Sequence, residues 1–422
     1  MVKSARASEL VKQLSELTTA PHKPTGRPKV LEHLKDWFVA MREPVLAPFH
    51  KGSQAGMDAA LELAQIMDDM LIALAQLADK NFEQVISDDI ALVAVGGYGR
   101  AAMAPFSDVD LLIIAPNKLT DKQQQAVDFV LYLLWDLQLQ VGHAIRSPKQ
   151  CIVSAQEDWT IRTALADARF VAGAKHQFDE FWTRFEKLKS SDGDRFIEAK
   201  LEERTQRHAR AGNARYALEP NIKEGRGGFR DLQSLLWIAD QAYGVKNLKG
   251  LEEQGILTSR QRGEMVRAGN FLWALRFHLH LEVGRAEEKL TYDKQIMLAE
   301  RMGYTDLAST GQRAVERFMM AYFRVAKSVG LYSDYLLAEI QTARKKPTFL
   351  SALPFFRSPS PAKKTAELDG FTLTGNQLAA KHADQFEEQP LDLIRLYWLA
   401  QQKGLEVRPH TQSLVSQKLA LV

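Results

Sequence analysis

The 422-residue sequence contains one cysteine, Cys151, which excludes an internal disulfide and a zinc site built from several cysteines. A lone thiol fits a reducing compartment, and Cys151 reads as a small buried side chain rather than a reactive group. Long apolar runs are also missing. The longest are pieces such as residues 70–78, MLIALAQLA, too short for a membrane span, and the N-terminal MVKSARASELVKQ has no apolar signal core. A cytoplasmic protein with no membrane partner is the expectation. Neither sign of charge dominates: 55 Lys and Arg against 52 Asp and Glu leave +3, too little to argue for a nucleic-acid surface. The rest of the composition, 45% hydrophobic and 25% charged, is that of an ordinary soluble protein, and this length calls for more than one domain.

Helical periodicity fills most of the chain. Residues 5–19 read as a short helix ended by Pro21, Pro24, Gly26 and Pro28, followed by amphipathic helices over 29–42 and 57–79. The last puts Leu61, Ala64, Met67, Leu71, Leu74 and Leu77 on one stripe, which is core packing. A helix over 120–137 precedes a strand over 139–146. Beyond Arg146 the pattern is helical over 158–189, 193–212, 229–244, 259–288 and 311–342. Residues 343–366, rich in Pro, Ser and Lys, read as a linker, and 367–422 as a short mixed segment.

The chemistry is concentrated in residues 91–115, ALVAVGGYGRAAMAPFSDVDLLIIA. Ile90 to Val95 is apolar and rich in β-formers, as a buried strand requires, and Gly96-Gly97 lets backbone N–H groups approach an anion. Arg100 is expected near a helix N-terminus, where phosphate oxygens are favoured. Ser107-Asp108-Val109-Asp110 opens a second strand. Side chains alternate along a strand, so Asp108 and Asp110 share one face while Val109, Leu111 and Ile113 turn to the core. Two carboxylates on one edge bind hard divalent cations such as Mg²⁺, and the glycine turn is suited to a triphosphate. Each half alone is weak; the order strand, glycine turn, Asp-x-Asp strand is what points to catalysis.

A second glycine loop, Gly225-Arg226-Gly227-Gly228, feeds a helix starting near Phe229, with Lys223, Arg226 and Arg230 beside it. This is another anion-binding arrangement, able to close over the nucleotide. Asp231 and Glu219 are candidates to orient those cations. The charges of Arg204, Arg207, His208 and Arg210 recur at helical spacing, either as a solvated face or as a patch facing the triphosphate.

At residues 91–115 the sequence resembles the nucleotidyltransferase superfamily with the DNA polymerase β-like fold. The wording GGYGR…SDVDLLI and residues 218–238, LEPNIKEGRGGFRDLQSLLWI, resemble more narrowly the bacterial PII uridylyltransferases, related glutamine synthetase adenylyltransferases carrying a similar glycine loop. The likeness continues through 205–210, 271–285, 290–304 and 315–327.

The resemblance implies an α+β protein: a small mixed-sheet nucleotidyltransferase domain followed by a large all-helical domain. The expected division is an N-terminal helical region (1–80), the nucleotidyltransferase domain (81–150), a helical associated domain (151–342), the linker (343–366) and a lead-in to a His-Asp hydrolase domain (367–422). It implies transfer of UMP from UTP to a tyrosine of the nitrogen regulatory protein PII. Asp108 and Asp110 would hold Mg²⁺ and carry catalysis. Gly96, Gly97, Arg100, Ser107, Lys223, Gly227, Gly228 and Arg230 would bind the nucleotide. The superfamily usually adds a third carboxylate from a neighbouring strand, and the strand 139–146 has none. Gln140 stands near that place, Asp136 is a possible substitute, and His143 could reach a phosphate or stay structural. No histidine is followed by aspartate, so the resemblance leads to a truncated chain lacking uridylyl removal and glutamine sensing. Alternatives are another acceptor, glutamine synthetase or an RNA end, and a nucleotide-binding module without catalysis.

Overall fold

The computed structural model describes residues 4–17, 26–210, 217–309, 311–344 and 365–418, so most of the expected linker 343–366 lies outside the described residues. The chain packs as two compact units, one made of Met1–Arg230 and Val266–Val325, the other of Asp231–Met265 and Ala326–Val422. Helices and small mixed sheets together make an α+β protein. Among the described residues no helix is long and apolar enough to cross a membrane.

The first unit is organised by a four-stranded sheet. Its strands are β1 (Ala91–Ala94), β2 (Val109–Ile114), β3 (Val141–Arg146) and β4 (Arg169–Gly173), in the order β3-β2-β1-β4. β1 is antiparallel to both β2 and β4, while β2 and β3 run parallel. Every residue of β1 is buried, as expected of a short apolar run covered on both faces. Ala91, Val93, Leu112 and Ile114 share a core with Cys151, Ala155, Leu165, Phe181 and Phe185 from helices that follow β3. Local signals set the boundaries of two flanking helices. Thr120 with Gln123 and Ser147 with Gln150 form capping boxes, opening the helices Asp121–Asp136 and Pro148–Glu157.

Two expectations change on folding. Residues 158–189 are not one helical stretch, because Arg169–Gly173 is β4, paired to β1 between the helices Trp159–Ala166 and Lys175–Ser191. Five residues are too few to show a period of two against flanking helical patterns. In the helix Gly56–Asn81, Leu61 is 46% exposed, whereas the other residues of the predicted stripe are buried.

The second unit contains a smaller sheet of β5 (Thr365–Leu368), β6 (Phe371–Thr374), β7 (Gln377–Ala379) and β8 (Glu406–Val407), in that order. Asp369 and Gly370 both adopt positive φ, 53° and 89°, the conformation that joins a two-residue hairpin. Phe371, Leu378, Phe386, Leu393, Leu396 and Leu399 form its core.

Candidate active site

The glycine turn and the aspartate strand are one hydrogen-bonded object. β1 ends at Ala94, and Val95 donates its N–H to the Asp110 carbonyl at 3.0 Å. A single helical turn, Gly96–Gly99, follows at once, with Gly99 N–H to Val95 C=O at 2.8 Å. The Gly97 N–H donates to the Asp110 side chain. Gly96 has φ +55°, and a Cβ there would lie 2.8 Å from Asp110 Oδ2. Gly97 is open by comparison: the nearest atom to a Cβ is Arg100 Nη2 at 3.9 Å.

Asp108 is exposed, one residue ahead of β2, and Asp110 is half-buried at its second position. Burial, and then the neighbouring Asp108 charge, push the Asp110 carboxyl above its ordinary value. The Gly97 N–H and the charges of Arg100 and Lys223 pull the other way. Lys223 therefore stands close enough to act on a carboxylate more than a hundred residues earlier in the chain. Its loop is braced from within. Asn221 Oδ1 accepts from the N–H groups of Lys223 and Glu224 at 2.9 and 2.7 Å, and Ile222 N–H donates to Glu288 C=O at 2.8 Å. Gly227 has φ +78°, and a Cβ on Gly228 would come within 2.5 Å of the Ile222 carbonyl. Arg230 pairs with Glu224 at 3.3 Å, and the buried Arg207 donates to the Glu224 carbonyl at 3.2 Å.

A nucleotidyltransferase-domain model matches residues 76–167, and a model described as GlnD PII-uridylyltransferase matches residues 195–337. Proteins named bifunctional uridylyltransferase/uridylyl-removing enzyme are similar along nearly the whole chain. The one from Azospirillum brasilense is 38% identical over 402 residues, 94% of this chain and 42% of that protein. The one from Rhodospirillum rubrum is 39% identical over 401 residues, again 94% and 42%, and the one from Bradyrhizobium diazoefficiens is 38% identical over 403 residues, 94% and 43%. The chain belongs with the N-terminal part of the PII uridylyltransferase family. It spans about four-tenths of the length of these relatives.

Against this family background, several expected side chains have other duties. Arg100 lies at the C-terminal side of the turn Gly96–Gly99, not at a helix N-terminus, and its Nη1 is 2.5 Å from Asp167 Oδ2. Ser107 Oγ accepts the Ala104 N–H at 2.9 Å, which holds the loop ahead of Asp108. Asp136 is bound by Arg27 through Nε at 2.9 Å and Nη2 at 2.5 Å. His143 packs edge-on against Trp135, on the sheet face opposite Asp110. Glu219 reaches Lys289 at 2.9 Å and the Tyr292 N–H at 3.2 Å, away from Lys223 and Arg230. Asp231 is fully buried. In the basic helix Gly193–Arg210, Arg207 and His208 are buried, Arg204 is half-buried, and only Arg210 of the four is exposed. Among the described residues no third His, Cys, Asp or Glu completes a metal cluster with the aspartate pair. The strand neighbour of Asp110 is Gly142.

Sequence reading missed a triad behind the turn, with Tyr98 and Asp68 buried and Arg169 half-buried. Tyr98 donates its hydroxyl to Asp68 Oδ1 at 2.5 Å, and Arg169 forks onto the same carboxylate at 2.6 and 3.0 Å. Arg169 also donates to the carbonyls of Tyr98 and Gly99, each at 3.3 Å. Burial first, then Asp68, raises the Tyr98 phenol well above its usual range, so it stays a donor. The one available signal was Asp68-Asp69 inside an otherwise apolar helix stripe.

Proposed function

We propose that this chain transfers UMP from UTP to a tyrosine hydroxyl of the nitrogen-signalling protein PII, releasing pyrophosphate, and that it works in the cytoplasm. The observation that carries the reading is the convergence of the Gly97 amide, Asp108, Asp110 and Lys223 in a chain with uridylyltransferase relatives.

The donor set fits Mg²⁺: two carboxylates, one exposed and one half-buried, supply hard oxygens and leave the remaining positions to phosphate and water. Asp108 and Asp110 would hold it. Bound there, it supplies charge stabilisation for the attacking and leaving oxygens of an in-line displacement. The backbone at Gly96 and Gly97 would receive the triphosphate, neither glycine having a side chain of its own to hold it off. Lys223, with Arg100, Arg230 and the backbone of Gly227 and Gly228, would balance the phosphate charge, and Ser107 would hold the loop before Asp108. The tyrosine oxygen bonds to the α-phosphorus as the bond to the bridging oxygen breaks. Pyrophosphate leaves with the electron pair, and the phenolic proton passes to water.

A second reading, a nucleotide-binding regulatory module without catalysis, is favoured by the carboxylate-free neighbour Gly142. Labelled UTP and ATP offered with purified PII, or with glutamine synthetase, separate these outcomes. UMP incorporated into PII supports the first reading; UTP bound with Mg²⁺ but no pyrophosphate released supports the second.

A further inference from the structure

β3 is the outer strand of the sheet, and its open edge runs past the carboxylate pair. Val109 N–H donates to Gln140 C=O at 2.8 Å, and Ala115 N–H to Arg146 C=O at 3.1 Å. In a parallel ladder of that register the backbone groups of Gly142 and Ala144 face β2, which turns those of Val141, His143 and Ile145 to the far side. Among the described residues no strand pairs with that side, and Gly142, His143 and Ile145 are exposed. Several of the common protections of such an edge are absent. Val141–Arg146 has no proline, no lysine and no bulge.

The register ties this edge to the chemistry. Gly142 is the direct partner of Asp110, and a Cβ on it would lie only 3.2 Å from Asp110 Oδ1. A strand added to the edge would set one residue beside Gly142 on the Asp110 face, two strand spacings or about 9.5 Å from the Asp110 backbone. A tyrosine at that place carries its hydroxyl back across Gly142, which has no side chain in the way. A serine hydroxyl, attached directly to Cβ, stays over its own strand. The flanking residues of the added strand would turn to the other face. There His143 packs on Trp135 with ring centroids 5.5 Å apart, and Tyr132 lies 5.5 Å from Trp135. Tyr132 and Trp135 are 47% and 39% exposed, an aromatic surface suited to side chains of a bound peptide.

We infer that the open edge of β3 is the acceptor site: an extended, tyrosine-bearing segment of the protein substrate adds as a fifth strand, with its tyrosine passing over Gly142 to the nucleotide at Asp108 and Asp110. Backbone pairing supplies the affinity and the aromatic face supplies selectivity. This inference rests on the tyrosine-uridylylation reading above.

The test is steady-state transfer of labelled UMP to purified PII by the whole chain and by His143→Pro and Ile145→Pro. Proline removes an outward N–H from an edge position that otherwise tolerates it. Each proline variant is expected to raise the KM for PII about tenfold or more with the KM for UTP unchanged. An unchanged KM for PII in both folded proline variants overturns the proposal. Should circular dichroism show that neither folds, the unsubstituted enzyme is given a linear peptide containing the acceptor tyrosine and the same peptide N-methylated at the tyrosine and both neighbours. Selective modification of the unmethylated peptide supports edge pairing; equal modification, or none of either, overturns it. Failure of the unsubstituted enzyme to modify PII at all while binding UTP defeats the underlying reading instead, and the edge proposal with it.

Discussion

A Cβ on Gly96 would sit 2.8 Å from Oδ2 of Asp110, so the phosphate turn and the metal-type carboxylate exclude each other's side chains. Gly96→Ala must therefore shift Asp110 and also accept a left-handed backbone, at about 1–2 kcal/mol. Transfer to PII should fall about a hundredfold or more. Gly97→Ala meets no such clash, so it should keep wild-type thermal stability and lose affinity for UTP. Calorimetric UTP titration of both variants checks this; wild-type turnover in Gly96→Ala would refute the coupling.

Asp108→Asn and Asp110→Asn should each lower UMP transfer about a hundredfold or more while the fold persists, because each removes one anionic ligand from the cation site. The readout is turnover with saturating Mg²⁺ beside a circular dichroism spectrum. Near-normal turnover in either variant would move the site elsewhere.

The Asp110 carboxyl is raised by burial and by Asp108, so the folded chain keeps this proton to higher pH than the unfolded chain. The stabilisation from the protonated form is complete below the ordinary carboxylate value and is lost as pH rises through the raised value. At pH 7 without metal the ionised group is a net cost. Asp110→Asn should thus raise the melting temperature at pH 7 by about 1–3 °C, with the gain vanishing near pH 3. Adding Mg²⁺ should reverse the order by stabilising only the unsubstituted chain. Melting curves at the two pH values with and without Mg²⁺ decide it, and a variant less stable at pH 7 without metal would contradict the argument.

Arg169 and Tyr98 share one carboxylate, Asp68, and hold the turn Gly96–Gly99 from behind. Tyr98→Phe removes one hydrogen bond and should cost about 1–2 kcal/mol. Arg169→Met leaves Asp68 without its cation and should cost more, about 2–4 kcal/mol. Chemical denaturation gives both values. Equal costs for the two changes would mean that Arg169 is not the principal partner of Asp68.

Much of this protein is written in neighbouring residues. The strand, glycine turn and Asp-x-Asp order, the helix starts at Thr120 and Ser147, and the glycine loop before Phe229 all depend on side chains a few positions apart. The Asp369-Gly370 hairpin was not read from the sequence, although its two positive φ angles suit those residue types. Tertiary structure alone decided the rest. Whether Asp136 faced a metal or Arg27, whether His143 met phosphate or Trp135, and which charges reached Asp110 depended on partners up to 113 positions away, since Lys223 lies that far from Asp110. β4 was hidden for a related reason. Its five residues become a strand by pairing with β1, some eighty positions earlier, and no local period records that partner.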